Sequence, residues 1–329
     1  MASVEQFREH AQRPARLIGT LGFLLLFVPA VTSAQWFILF DRDILQFNPA
    51  TGVSTRWAPA PGPVDPTLTA VDPAGHRLFV TDRRSLYVID TRSASATKRS
   101  LSQPLDWMGL AFDAGSGMLF HVARIGDIVQ IDPSNGEVRY FMTAPALHQF
   151  SPFSPGLGLT IDPSGRRLFV VDFDRIHTIN LQTRSVVTAP LTNRVVGGAF
   201  DPQTGALISV SLNAFVTINP ANGTVTELAP FNPPAQPEFA FEFFYSLNVD
   251  PVNRVVLFVM WGYPFGSNQT YPFNYLAVVD LSNGHVSWSQ SYQYPIGAIQ
   301  SEAAIPTLSA AALAVLAMIL LIVAHVRAA

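Results

Sequence analysis

Few residue types in this chain recur with a spacing that suggests chemistry. The most regular are five aspartates, Asp72, Asp113, Asp162, Asp201 and Asp250, placed 41, 49, 39 and 49 residues apart. Each follows an apolar run, and four of them precede a proline. An Asp-Pro pair suits the opening of a tight turn better than metal ligation. A second series, Asn48, Asp90, Asp132, Asn180, Asn219 and Asp280, runs in step with the first, and four of its six members have a glycine four residues on. Glu238 and Glu242 stand four apart among aromatics, where a carboxylate pair can divide acid and base roles; solvation at a surface accounts for them more simply. The seven histidines are scattered without a His-x-His pair, and His121 and His177 fall in strand-like runs that suit structural roles. HExxH, GxSxG, Walker and EF-hand patterns do not occur. These residues assign no catalytic group, no metal ligand and no cofactor.

The composition narrows the partners. At 329 residues and 49% apolar content the chain can bury a large core, and its net charge of −3 with 13% charged residues advertises no nucleic-acid surface. The absence of cysteine removes disulfides, thiolate metal sites and cysteine nucleophiles together.

The aspartates mark a repeat. "LTAVDPAGHRLFVTD", "GLAFDAGSGMLFHVA", "GLTIDPSGRRLFVVD", "GGAFDPQTGALISVS" and "LNVDPVNRVVLFVM" share an apolar run, an Asp, a turn and a second apolar run. Each unit reads as strand, Asp turn, strand, connection, strand, Asx-Gly turn, strand. Asp or Asn opens such a turn through its side chain, and glycine takes the left-handed corner. Four short strands in 40 to 50 residues is the period of a β-propeller blade. Gly109, Gly156, Gly158, Gly197 and Gly198 sit in or before inner strands, where crowding at the axis favours small residues. Residues 35–300 accommodate six blades. The first lacks an inner strand, and "YPIGAIQS" near the C-terminus is expected to supply it, closing the ring by strand exchange between the chain ends. The blade signature resembles the YVTN and NHL-like propeller repeats in general character.

The two ends carry a different message. Arg8, Arg13 and Arg16, the apolar run "LIGTLGFLLLFVPAV" and the small residues before Gln35 have the order of a secretory signal over residues 1–34, with cleavage expected between Ala34 and Gln35. A linker, 301–304, leads to 305–329, whose first twenty residues hold no charge and form a helix about 30 Å long, enough to cross a bilayer once. The stretch "IPTLS" resembles the IPTL-CTERM sorting signal of exported proteins of Gram-negative bacteria, with Ile305, Pro306, Thr307 and Leu308 matching residue by residue. Where that family commonly continues to a Trp-Gly pair, this chain has Ala311 and Ala312, and its basic tail is short. The resemblance implies an exosortase-type transpeptidase as partner, a membrane stage, and then a place at the cell surface or outside the cell.

The irregular sequence collects in three connections, "FMTAPALHQFSPFSPG", "APFNPPAQPEFAFEFFYS" and "GYPFGSNQTYPFNY", all expected on the face of the propeller away from the Asp turns. Phe153, Phe239, Phe241, Phe244, Tyr263, Phe265, Tyr271 and Tyr275 are the candidate ligand-binding residues, as stacking platforms for a polysaccharide or a surface protein; packing as a lid is the other use for such rings. The expected protein is an exported binding or structural module. The alternative is a propeller enzyme of the sugar-lactonase or quinoprotein type, which needs converging acids on inner-strand ends, where this chain offers little beyond Asn248.

Overall fold

The computed structural model describes residues 35–302 except 41–42, 49–52, 63–64, 73, 107–108, 124–125, 145–157, 163, 165, 212, 233–243, 252, 263–272 and 290–295. The described secondary structure is all β. Strands β1 to β3 are Gln35–Phe40, Asp43–Asn48 and Val53–Pro59. Blade two holds β4 to β7, Asp65–Asp72, Arg77–Thr81, Ser85–Asp90 and Ala96–Ser100. Blade three holds β8 to β11, Ala111–Asp113, Met118–Val122, Asp127–Ile131 and Val138–Thr143. Blade four holds β12 to β15, Gly158–Asp162, Arg167–Asp172, Arg175–Asn180 and Val186–Pro190. Blade five holds β16 to β19, Val196–Phe200, Leu207–Val210, Ala214–Ile218 and Val225–Pro230. Blade six holds β20 to β23, Phe244–Asp250, Val255–Gly262, Phe273–Asp280 and Val286–Ser289. The last strand, β24, is Ile296–Glu302 and lies beside β1, so the first sheet has the order β24-β1-β2-β3. The protein is a six-bladed β-propeller of antiparallel four-stranded sheets.

The pairing of β24 with β1 sets Gln35 opposite Glu302 and Trp36 opposite Ser301. The strand therefore runs two residues into the segment read from sequence as linker, because Ser301 and Glu302 still find ladder partners on β1.

The sheets cohere face to face. Six apolar clusters occupy the six junctions between neighbouring blades, the junction of blades six and one included, where Trp36 and Phe47 meet Leu257 and Leu276. Middle strands are buried on both faces, so they read as continuous apolar runs, with Phe79, Phe120, Phe169 and Phe258 at 0% exposure. Each such ring is worth roughly 2–3 kcal/mol over an exposed one. Outer strands are largely exposed and carry charge, as in β7 with Lys98 and Arg99, which discourages pairing with another sheet. Close to the axis the backbones nearly touch. A Cβ on Gly158 would sit 2.1 Å from the amide nitrogen of Gly198 on the next blade, so only glycine fits there.

The five repeated aspartates open turns, as their spacing implied, and they are also buried. Each of these residues is 4% exposed or less. An unpaired carboxylate cannot be left at such a site, so every one is surrounded by donors. Asp72 accepts from the Gly75 amide and from Arg77 at 2.6 Å, and Asp162 accepts from the Ser164 amide and hydroxyl and from Arg167 at 2.6 Å. These arginines stand five residues after their aspartates. Asp113 and Asp201 have Met118 and Ala206 there, and their guanidinium arrives from the next blade: Arg166 donates to Asp113 at 3.1 Å and Arg254 to both oxygens of Asp201 at 2.9 Å. For Asp250 the cross-blade donor is the Trp36 indole at 3.0 Å, 214 residues away in sequence, joining blade six to blade one.

Arg166 and Arg254 hold φ of 49° and 55°, at the corner where the turns of Asp113 and Asp201 place Gly117 and Gly205. A left-handed arginine costs about 1 kcal/mol relative to glycine. The cost is offset by delivering the guanidinium to the previous blade.

Asp201→Ala is therefore expected to cost roughly 3–5 kcal/mol, read from the urea midpoint. Arg254→Gly should cost about 1 kcal/mol less than Arg254→Ala, since glycine relieves the corner that alanine keeps strained. Equal losses would show that the backbone conformation at residue 254 carries no strain.

Candidate functional site

The antiparallel order of each blade puts the Asp turns at one end of the sheets. The other end receives the connections between blades and those between second and third strands. All three long connections belong to that second end: β11 leaves toward β12 after Thr143, β19 toward β20 after Pro230, and β21 toward β22 after Gly262. Of the candidate aromatics, Phe153, Phe239, Phe241, Tyr263, Phe265 and Tyr271 lie outside the described residues. Phe244 is the first residue of β20 and Tyr275 lies in β22. Register brings them to one end of blade six. Phe244 and Asn274 flank Trp261, and Tyr245 and Tyr275 flank Met260. The sequence reading took Phe244 and Tyr275 without Tyr245 and Trp261, although the two apolar rungs alternate along the same strands. Gln35 opens β1, whereas Ala34 and the sorting residues Ile305, Pro306, Thr307 and Leu308 lie outside the described residues. Among the described residues no helix is long and apolar enough to cross a membrane; the apolar segments 17–31 and 305–324 fall outside them.

The titratable groups of the loop-bearing end are built into its shorter connections. Asp82 caps the turn between β5 and β6, accepting from the amides of Arg84 and Ser85 and from the Tyr87 hydroxyl. These bonds overcome the opposing effect of burial, the largest single influence, and hold its carboxyl below the ordinary range. Asp172 departs in the other direction. Burial raises it, Asp174 adds to that, and the Phe173 amide and Arg175 oppose it. Asp127 receives the Thr143 hydroxyl. Among the described residues no three His, Asp or Glu side chains converge as a metal site.

Two buried histidines are tied into strands, as their positions in apolar runs suggested. His177 of β14 bonds the Thr188 hydroxyl of β15 at 2.9 Å. Burial first, and then Arg175, pushes its ring down to about 4, against the pull of Asp174. His121 of β9 reaches the connection from β7 to β8. Its Nε2 accepts from the Asp106 amide at 3.2 Å, which makes Nδ1 the protonated nitrogen, donating to the Gly109 carbonyl at 2.8 Å. Burial depresses this ring as well, with the Gly109 bond and Asp106 working the other way.

The unfolded chain takes up a proton on residue 177 below about pH 6.5, whereas the folded protein delays this to about pH 4. Stability contributed by the neutral ring is thus complete above pH 6.5 and lost as pH falls toward 4, by roughly 2–3 kcal/mol. In His177→Gln the decline of urea-measured stability over this window is expected to be shallower by that amount. A curve parallel to the wild type would remove His177 as its source.

No protein-family model matches the sequence, and no curated protein matches it. Among solved structures, TolB from Acinetobacter baumannii is similar with a TM-score of 0.58 at 12% identity, over 87% of this chain and 71% of that one. A putative TolB from Agrobacterium tumefaciens gives 0.55 at 14% identity, over 82% and 97%. The Kuenenia stuttgartiensis hydrazine synthase gives 0.49 at 14%, over 70% and 68%. At these identities the TolB likeness is one of fold.

Proposed function

We propose that this chain is an exported propeller that binds a polysaccharide or a surface protein through its loop-bearing end, and that residues 305–308 address it for sorting and removal of the tail by an exosortase-type transpeptidase. The observation that carries the binding reading is an asymmetry of the ring. One end is finished by short turns in which Asp and Asn side chains accept from the amides of their own turns, and the other is where all three long, aromatic-rich connections arise. Long insertions confined to one end of a repeat fold form a recognition surface. Phe153, Phe239, Phe241, Phe244, Tyr263, Phe265, Tyr271 and Tyr275 supply its stacking platforms.

The exchange of strands between the chain ends is the ring's closure in this reading. The ladder from Gln35 to Glu302 and the Trp36 to Asp250 bond support it, and they set residues 35 and 302 side by side in blade one. The basic, apolar and small order of residues 1–34 and the IPTL stretch supply the export half of the proposal.

Intact mass of the protein released by a host carrying an exosortase is expected to show a start at Gln35 and loss of the C-terminal apolar segment. A tail still attached in that host would sink the sorting reading. The same material should bind members of a bacterial and host polysaccharide array saturably, with at least tenfold weaker binding when Phe241, Tyr263 and Tyr271 are changed to Ala. Binding that the triple variant leaves unchanged would make the rings a packing lid.

A further inference from the structure

At the loop-bearing end, His121 holds a bond that acid reverses in sense. The connection from β7 to β8 is fixed up to Leu105 by backbone bonds, from Leu101 to the Arg84 carbonyl, Ser102 to the Gly136 carbonyl and Leu105 to the Arg83 carbonyl. Beyond Leu105 the His121 ring takes over. It accepts from the Asp106 amide and donates to the Gly109 carbonyl, so a single imidazole ties two points of this connection to blade three. The ring is 1% exposed.

We propose that this imidazole is a pH-sensitive clasp, which holds the Asp106 amide against blade three at neutral pH and releases it in acid. The chemistry is that of one nitrogen. A neutral ring offers Nε2 as acceptor to the Asp106 amide; a protonated ring presents N–H there, and two donors then face each other in a site closed to water. Gly109 cannot compensate, because its carbonyl is already served by Nδ1 and it holds a φ of 74°, at a place where a Cβ would meet the Leu159 side chain of blade four at 2.9 Å.

The charged surroundings do not rescue the protonated ring in place. Asp106, on the same connection, attracts the charge but moves away from the ring when its amide is released. On β10, Val129 lies across from the ring and Asp127 is engaged by Thr143. On β8, Ala111 and Phe112 are apolar, and Asp113 at its far end is taken by Arg166. Once released, the ring returns to its ordinary value near 6.5. Below that pH the open form gains the proton and the closed form does not, so the opening equilibrium grows about tenfold per pH unit until the closed ring titrates.

Hydrogen exchange of the full-length protein tests this, with exchange times scaled for the intrinsic pH dependence. Peptides covering 101–112 are expected to lose protection about tenfold per pH unit below about 6.5, while peptides from β13 and β17 keep theirs. In His121→Gln the side-chain amide can accept and donate at the same two positions without titrating, and protection should stay flat with pH. His121→Leu should exchange freely at 106 even at pH 7. The clasp is overturned if wild type and His121→Gln respond to acid alike, or if wild-type protection persists to the pH at which every blade unfolds.

Discussion

A buried carboxylate at the first turn of blades two to six is the constraint on which the ring depends. The turn needs Asp for its geometry, and blade packing then seals that Asp away from water, where its charge must be met by donors. Two answers occur among the described residues. Asp72 and Asp162 are served by arginines of their own blades, while Asp113, Asp201 and Asp250 are served by Arg166, Arg254 and Trp36 of the next. The second answer converts a local necessity into an inter-blade bond. It also explains why two arginines occupy left-handed corners that glycine fills elsewhere.

The blade plan was legible because its signals are local. Asp, Pro and Gly write turn geometry within five residues, and two apolar runs around each Asp write the strands. The cross-blade partners were not legible in the same way. Arg166 and Arg254 lie 53 residues from the carboxylates they serve, and nothing near Asp113 or Asp201 names them. The trace they leave is subtractive: an Asp turn without arginine at its fifth following residue, and an arginine in the next turn where glycine belongs. The aromatic end of blade six was half legible, since Trp261 and Tyr245 join the rungs of Phe244 and Tyr275 only through cross-strand register, which local sequence does not write. The three long connections have no period, and their Pro-rich composition specifies no register, so sequence gives their end of the ring but not their form.

Neighbouring blades are also locked along their outer strands. Ser102 donates its amide to the Gly136 carbonyl and receives the Val138 amide on its hydroxyl, and Thr192 repeats the arrangement with Gly223 and Val225. A Cβ at Gly136 or Gly223 would meet the carbonyl oxygen of Ser100 or Pro190 at 2.4 Å or 2.0 Å. Glycine at these corners therefore serves two ends at once, a left-handed turn within its own blade and room for the backbone of the blade before it.

The register of β1 against β24 has a mechanical consequence. Gln35 and Glu302 are the end pair of their ladder, so tension drawn between the two ends of the chain loads that pair first and peels the strands apart one rung after another. A sheared ladder would share the load across all its rungs. Under traction blade one is thus the seam, with the Trp36 to Asp250 bond the next to be loaded, while the interiors of blades two to five carry no force until the seam has parted. If both ends are held at the same place, as their pairing permits, pull on that anchorage passes through a few residues of one ladder and spares the rest of the ring.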